Sequence, residues 1–210
     1  MRYGELPKDL GIHLVDCKEM MFYQYLPIKL LGKHMPVFEE RLNSFKDLIG
    51  AICCDYIGEF GLDNYINSYA YLTAKYMYQT PNCSYNRLGY HSDGFMTDDI
   101  NYVWCDKNPT VFNFTTFDLS LDDKKSLQEM EWQEDKRKTV IYDGNSLLRL
   151  NQFNIHKVNE SEFEGMRCFL KISFSKDKYD LIGNNKNYLL DYDWQMRERN
   201  QERNIPQKTI

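Results

Sequence analysis

Two residues of types that bind metal ions stand two positions apart in residues 87–95, RLGYHSDGF. His91 and Asp93 offer an imidazole and a carboxylate, which non-haem Fe(II) sites combine with a second imidazole. If a strand ends at His91, the turn that Gly94 permits brings Asp93 to the same side. A His-x-Asp triplet also arises by chance, and Asp before Gly is typical of an ordinary turn, so a third ligand is needed.

His156, in NQFNIHKV, is the best candidate for the third ligand. It follows a turn and lies in a short β-rich run, whereas His13 and His34 precede the β-rich half of the chain. Taken alone, His156 is equally typical of an ordinary strand histidine. In combination with His91 and Asp93, its position in the chain order predicts a metal site that leaves other coordination positions open.

A group that could bind a carboxylate follows in the run RCFLKISFS. Strand alternation gives this run an apolar core face and a second face with Arg167, Phe169 and Lys171. A basic residue that faces a cavity requires an anionic partner. Because a guanidinium binds a carboxylate bidentately, Arg167 is the first candidate for this role, and Lys171 replaces it if Arg167 faces outward.

Four more residues are candidates for the same pocket. Alternation along a strand would place Tyr85 and Arg87 on the face of His91. Tyr85 could donate a hydrogen bond to a bound carboxylate, and Arg87 could bind a cosubstrate or an acidic substrate, unless Arg87 pairs with an acidic side chain of the protein. Tyr102 and Trp104 are candidates for substrate contact, with core packing as the alternative.

These residues resemble the pattern of the Fe(II)/2-oxoglutarate-dependent dioxygenase superfamily. His91, Asp93, His156 and Arg167 match its order of His-x-Asp, distal His and Arg. The segments NRLGYHSDGF and GMRCFLKISFS are similar to phage-encoded and bacterial members. The resemblance covers roughly residues 71–194 and implies a double-stranded β-helix (jelly-roll) core. The gap between His156 and Arg167 is slightly longer than the commonest spacing.

The resemblance also implies a chemistry. Fe(II) would be bound by the two histidines and Asp93, 2-oxoglutarate would chelate it with its C5 carboxylate on Arg167 or Lys171, and O2 would take the remaining position. Succinate and CO2 would accompany hydroxylation or oxidative demethylation of a substrate that the sequence does not identify. A small molecule or a protein residue is preferred, because the net charge is −5 and phosphate contacts need Lys and Arg. The phage-like segments favour the alternative, a nucleotide or nucleic acid.

Two other classes of protein remain as alternatives. A non-catalytic jelly-roll binding protein with a degenerate site would leave the four residues apart, or would fill the cavity with aromatic rings. A cupin-type isomerase, or a dioxygenase that needs no 2-oxoglutarate, usually has His-x-His and a further Glu, which this sequence lacks.

The length of 210 residues and the 15% aromatic content predict one α+β domain. We expect an N-terminal strand and supporting helices in residues 1–80, the jelly-roll catalytic core in 81–193 and a polar tail in 194–210. Residues 22–31 resemble an edge strand because of Pro27. Helical spacing predicts one helix in residues 38–60 and a second in 62–76. Short strands follow, interrupted at residues 119–138 by a polar insertion with a short helix.

The six cysteines show no repeated C-x-x-C spacing, so we expect reduced thiols and no zinc site. No secretory signal and no apolar run of membrane-spanning length is apparent. The sequence therefore predicts a cytoplasmic protein, in the host cytoplasm if it is phage-encoded, without a membrane partner. It leaves the oligomeric state open.

Overall fold

Strands of alternating polarity build two antiparallel sheets in the computed structural model, which describes residues 2–81, 83 and 85–199. The strands are β1 (Lys8–Ile12), β2 (Met21–Lys29), β3 (Tyr69–Gln79), β4 (Ile100–Cys105), β5 (Val111–Asn113), β6 (Thr139–Ile141), β7 (Ser146–Leu150), β8 (His156–Lys157) and β9 (Gly165–Ser175). The larger sheet has the order β1-β7-β4-β9-β3-β2, and the smaller has the order β6-β5-β8. The architecture is α+β, as expected, and is consistent with a β-sandwich.

Helices cover one face of the larger sheet. A 3-10 helix (Glu40–Phe45) leads into α1 (Lys46–Phe60), and a short α2 (Leu62–Ile66) follows. The apolar side of α1 packs on the apolar face of β9, where the ring centroids of Tyr56 and Phe174 stack 4.1 Å apart. The helix predicted for residues 38–60 is confirmed from residue 40 onward. The polar insertion contains α3 (Asp123–Gln133), whose first turn is capped by the Asp122 carboxylate.

The contact between Tyr56 and Phe174 makes a stability prediction. Phe174 is 1% exposed and lies between the sheet and α1. We expect Phe174→Ala to lower the free energy of unfolding by about 3–5 kcal/mol, because it removes a buried ring and leaves a cavity. Urea denaturation measures the change. Phe114→Ala, at a site that is 38% exposed, is the matched control, and an equal loss in both variants would contradict the prediction.

The second predicted helix is wrong beyond Ile66. Residues 69–79 instead form β3, which pairs with β9 at every position from Tyr69 opposite Ser175 to Gln79 opposite Gly165. Aromatic and β-branched residues in this segment fit both a helical stripe and a strand. Pairing with the central strand β9 decided in favour of a strand. It also placed Thr73 and Lys75 on the face of the sheet away from the helices.

The N-terminal part of the chain contributes more than supporting helices. Three of the six strands of the larger sheet, β1, β2 and β3, precede residue 80. The edge position predicted for β2 is confirmed, and Pro27 lies near a register shift that accommodates it. The strand expected in residues 110–117 ends at Asn113.

The described C-terminal segment contacts the larger sheet through Trp194. The ring of Trp194 contacts Tyr69 and Tyr71, and Arg197 pairs with Asp180. Residues 194–199 form no helix, and the rest of the predicted polar tail, 200–210, lies outside the described residues. All six cysteines are free thiols. Within the described ranges, no helix has the length and apolar character needed to cross a membrane.

Candidate metal centre

His91, Asp93 and His156 converge at one place between the two sheets. One potential ligand atom from each lies within 4.8 Å of the others. The cause is a backbone pairing, since His91 and His156 lie directly opposite one another and exchange two N–H···O bonds of 2.9 Å. Side chains of directly opposed residues leave the same face of an antiparallel pair. The two rings consequently lie with centroids 4.6 Å apart.

A turn brings Asp93 to the two histidines. Gly94 has a φ of 72°, which favours glycine, and a Cβ at this position would lie 2.8 Å from the Thr97 hydroxyl and 3.0 Å from Asp99 Cβ. The Thr97 backbone N–H and hydroxyl both donate to the Gly94 carbonyl and close the turn. As a result, Asp93 Oδ2 lies 3.7 Å from His156 Nε2.

Backbone carbonyls set the orientation of both imidazoles. Nδ1 of His91 lies 3.0 Å from the Gly89 carbonyl, and Nδ1 of His156 lies 3.0 Å from the Asn154 carbonyl. A carbonyl accepts only from a protonated Nδ1, so each neutral ring presents an unprotonated Nε2. Outer hydrogen bonds of this kind hold metal-binding histidines in position.

Electrostatics favour ligands in the protonation states that bind metal. Burial, and secondarily His156, lowers the pKa of His91 to about 3, so its imidazole is neutral near pH 7. Burial alone would raise the pKa of Asp93, but the charge of Lys171, 3.1 Å away, holds it well below its usual range. Burial acts to lower the pKa of Lys171, but Asp93 and Tyr25 outweigh it and raise that pKa.

A cavity of about 450 Å³ opens beside the three ligands. Its floor is the inner face of the larger sheet, where Thr73 and Lys75 of β3 lie next to Phe169 and Lys171 of β9. The alternation predicted for β9 is confirmed, because Cys168, Leu170 and Ile172 lie in the helix-covered core.

Three buried basic side chains start from this face of the larger sheet. Arg167, Lys75 and Lys171 are 5%, 6% and 8% exposed, and Lys75 pairs opposite Phe169, between the other two. Among the described residues, Asp93 is the one carboxylate that forms an ion pair with any of them. Buried charges are normally compensated, so this surplus of positive charge suits an anionic ligand.

The three cations differ in what they contact. Arg167 Nε donates to the carbonyls of Lys107 and Asn108 at 2.9 and 3.1 Å, and its guanidinium lies 5.2 Å from the Phe169 ring centroid. The side chains of Lys75 and Lys171 line the cavity, whereas that of Arg167 does not. Sequence reasoning missed Lys75 because its segment was assigned to a helix. The alternation of Tyr71, Thr73 and Lys75 with small or apolar residues was the available signal.

The other predicted pocket residues are distributed differently. Arg87 lines the cavity, but residues 85–90 form a loop and not the expected strand. Tyr85 has a φ of 55°, its hydroxyl lies beside Cys83, and it is not among the residues that line the cavity. The prediction that Tyr85 shares a strand face with His91 is therefore wrong.

The predictions for Tyr102 and Trp104 require a correction as well. Both lie on the helix-covered face of β4, where the Tyr102 hydroxyl donates to Asp55 and the Trp104 indole donates to the His13 carbonyl. Strand alternation places Asn101 and Val103 on the cavity side instead.

No family model matches this chain, and a search of curated proteins finds no match either. What this centre can do therefore follows from its own geometry. Two imidazoles and one carboxylate, held together by a backbone pairing and a turn, suit a divalent transition-metal ion. The His91–Asp93–His156 cluster can bind a metal, and the cavity beside it has room for a small molecule.

Proposed function

We propose that this protein is an Fe(II)- and 2-oxoglutarate-dependent oxygenase. The observation that carries the proposal is the convergence of His91, Asp93 and His156 beside a cavity lined by the buried basic side chains of Lys75 and Lys171. Two histidines and a carboxylate on one face are typical of non-haem Fe(II) oxygenases. The convergence and the open cavity also oppose a degenerate binding protein, which would have separated the residues or filled the space.

The strand order supports a jelly-roll core for this function. From β3 onward, consecutive segments move between the two sheets. β3 belongs to the larger sheet, the segment at the His91 bridge to the smaller sheet, and β4 to the larger sheet again. Next, β5 and β6 belong to the smaller sheet, β7 to the larger, β8 to the smaller and β9 to the larger. A jelly roll divides eight strands between two sheets, so this distribution of eight segments supports the proposed core. We therefore infer that β1, β2 and the helices are additions to that core.

The residues of this chain would divide the work as follows. Nε2 of both histidines and the Asp93 carboxylate would hold Fe(II), which together with 2-oxoglutarate and O2 supplies the oxidising chemistry. Lys171 would balance negative charge next to the metal ligands. Lys75, with Arg167 behind it, would hold the C5 carboxylate at the deeper end. Val103 and Phe169, both less than a tenth exposed, would exclude water from between these groups.

The cavity also constrains the substrate. A volume of about 450 Å³ has to contain 2-oxoglutarate and the reacting part of the substrate, so we propose that a small molecule, or a single side chain or base, enters it. Hydroxylation is the expected reaction, and demethylation follows where the oxidised carbon bears a heteroatom.

An anaerobic titration tests the metal and the cosubstrate before any substrate is known. Fe(II) is added to the purified protein, followed by 2-oxoglutarate, and the visible charge-transfer band of the chelated iron is recorded. We expect a band that requires both additions. Folded protein that binds Fe(II) but gives no band with 2-oxoglutarate would overturn the proposal in favour of a metal-binding protein of another class.

Binding of 2-oxoglutarate should weaken as the pH rises through about 7. Burial, with the charges of Lys171 and Arg167, lowers the pKa of Lys75 to about 7 from 10.5. A carboxylate binds the protonated amine, whose fraction falls above that pH. The stability of the protein without ligand should change in the opposite direction. Between pH 7 and 10.5 the unfolded chain holds more protons at Lys75 than the folded protein does, so the free energy of unfolding rises with pH in that window. Titrations and urea denaturation on both sides of pH 7 measure the two trends, and Lys75→Met should flatten both.

A further inference from the structure

Lys171 connects the metal ligands to a tyrosine. Its Nζ lies 3.1 Å from Asp93 Oδ2 and donates to the Tyr25 hydroxyl at 3.4 Å. Tyr25 has a φ of 47°, a conformation that is uncommon outside glycine and is found preferentially at functional sites. A readily oxidised side chain is therefore held within two hydrogen bonds of the candidate iron site.

A series of aromatic rings leads from Tyr25 towards the surface. The ring centroids of Tyr25 and Tyr179 are 5.1 Å apart, and Tyr179 stacks on Tyr71 at 4.1 Å with nearly parallel planes. Trp194 follows at 6.3 Å, and Tyr192 lies 4.6 Å beyond it. We call these rings the aromatic chain, which consists of Tyr25, Tyr179, Tyr71, Trp194 and Tyr192.

Tyr179 is the member best suited to lose an electron. A tyrosine that is oxidised has to release its phenolic proton, and the Tyr179 hydroxyl donates at 2.6 Å to Asp99, a carboxylate that is 7% exposed. Tyr25 is less suited, because the Lys171 cation lies 5.1 Å from its ring centroid. The Tyr71 hydroxyl donates to the Asp177 carbonyl, which is a poor proton acceptor.

We propose that the aromatic chain conducts electrons from the surface to the iron site when oxidation is not used on substrate. This inference rests on the proposed function, which supplies the oxidant: an iron centre oxidised by O2 with 2-oxoglutarate. Tyr179 gives one electron to that centre, which is reduced by one electron, and its proton passes to Asp99. Trp194 then returns an electron through Tyr71, and Tyr179 recovers its proton. A soluble one-electron reductant of the ascorbate class replaces the electron at Trp194.

The other side of the site provides a matched control. The Phe112 ring lies 5.5 Å from that of His156, and Tyr142 lies 5.7 Å beyond Phe112. Phenylalanine is not readily oxidised, so Phe112 separates Tyr142 from the iron site. Tyr142→Phe and Tyr179→Phe remove the same hydroxyl group, but only the second interrupts the aromatic chain.

The test exposes protein loaded with Fe(II) and 2-oxoglutarate to O2 without substrate, and freezes samples for electron paramagnetic resonance. We expect the signal of a tyrosyl radical in the wild type and in Tyr142→Phe. Protein that contains ring-deuterated tyrosine should give a narrower signal, which identifies the radical as tyrosyl. The radical should be lost in Tyr179→Phe. Peptide mass spectrometry should find oxidation at Trp194 and Tyr192 in the wild type, and shifted to cavity residues such as Met96 in Tyr179→Phe. Ascorbate should suppress the oxidation at Trp194.

The outcomes separate the two proposals. Succinate release is measured in the same samples. If succinate forms but no radical appears, or if the radical persists unchanged in Tyr179→Phe, the aromatic chain does not carry electrons, while the oxygenase proposal stands. If neither the charge-transfer band nor succinate appears, the oxygenase proposal fails, and the electron-transfer proposal fails with it.

Discussion

Asp93→Asn should weaken Fe(II) binding at least roughly 100-fold, because loss of an outer hydrogen bond to a ligand already costs 10–100-fold. The asparagine keeps the shape of the side chain but removes the negative charge next to the two imidazoles. Anaerobic Fe(II) titration, followed by 2-oxoglutarate, should show neither tight binding nor the charge-transfer band. Fe(II) affinity within a few-fold of the wild type would contradict the assignment of Asp93 as a ligand.

A second carboxylate in the same cavity supplies the control. Asp177 lines the cavity but is exposed and lies outside the ligand cluster. Asp177→Asn removes the same charge, so its Fe(II) affinity should stay close to that of the wild type. Asp93→Asn also leaves Lys171 without its carboxylate partner, and we expect a loss in unfolding free energy of about 3–5 kcal/mol, because the remaining buried charge is uncompensated. Denaturation curves should confirm that the variant is folded at the conditions of the titration.

Lys75→Met should weaken 2-oxoglutarate binding roughly 10- to 150-fold while Fe(II) binding is retained. A hydrogen bond that involves a charged group contributes about 1.5–3 kcal/mol, and each 1.4 kcal/mol is about tenfold in affinity. In the protein without ligand, Lys75 donates to the Tyr85 carbonyl and to Asn86 Oδ1. Stability should change little on substitution, since relief of the buried charge offsets the loss of these two bonds. Titration of the charge-transfer band against 2-oxoglutarate measures the affinity.

Two further variants show which cation holds the carboxylate. Lys178→Met removes an exposed cation at the cavity rim and should leave 2-oxoglutarate affinity unchanged. Arg167→Met tests the residue that the sequence favoured. Because the Arg167 guanidinium holds the carbonyls of Lys107 and Asn108, its loss should reduce stability more than affinity. A larger loss of affinity in Arg167→Met than in Lys75→Met would return the anchoring role to Arg167.

The sequence predicted the local features with the strongest periodic patterns. The helical spacing before residue 60 and the alternation in RCFLKISFS each fit one structure, and both were confirmed. The grouping of His91, Asp93 and His156 was also predictable, because few histidines are available and the turn at Gly94 is encoded locally.

Tertiary structure decided the features that depend on pairing between distant segments. Residues 69–79 suit a helix or a strand, and only pairing with β9 made them β3 and turned Lys75 towards the cavity. The face of β4 was ambiguous for the same reason, since Tyr102 and Trp104 suit a pocket wall as well as a core. The aromatic chain joins rings from β2, β3 and the C-terminal segment, and no local pattern links them. Local sequence determined which residues could perform chemistry, whereas long-range strand pairing determined which of them meet.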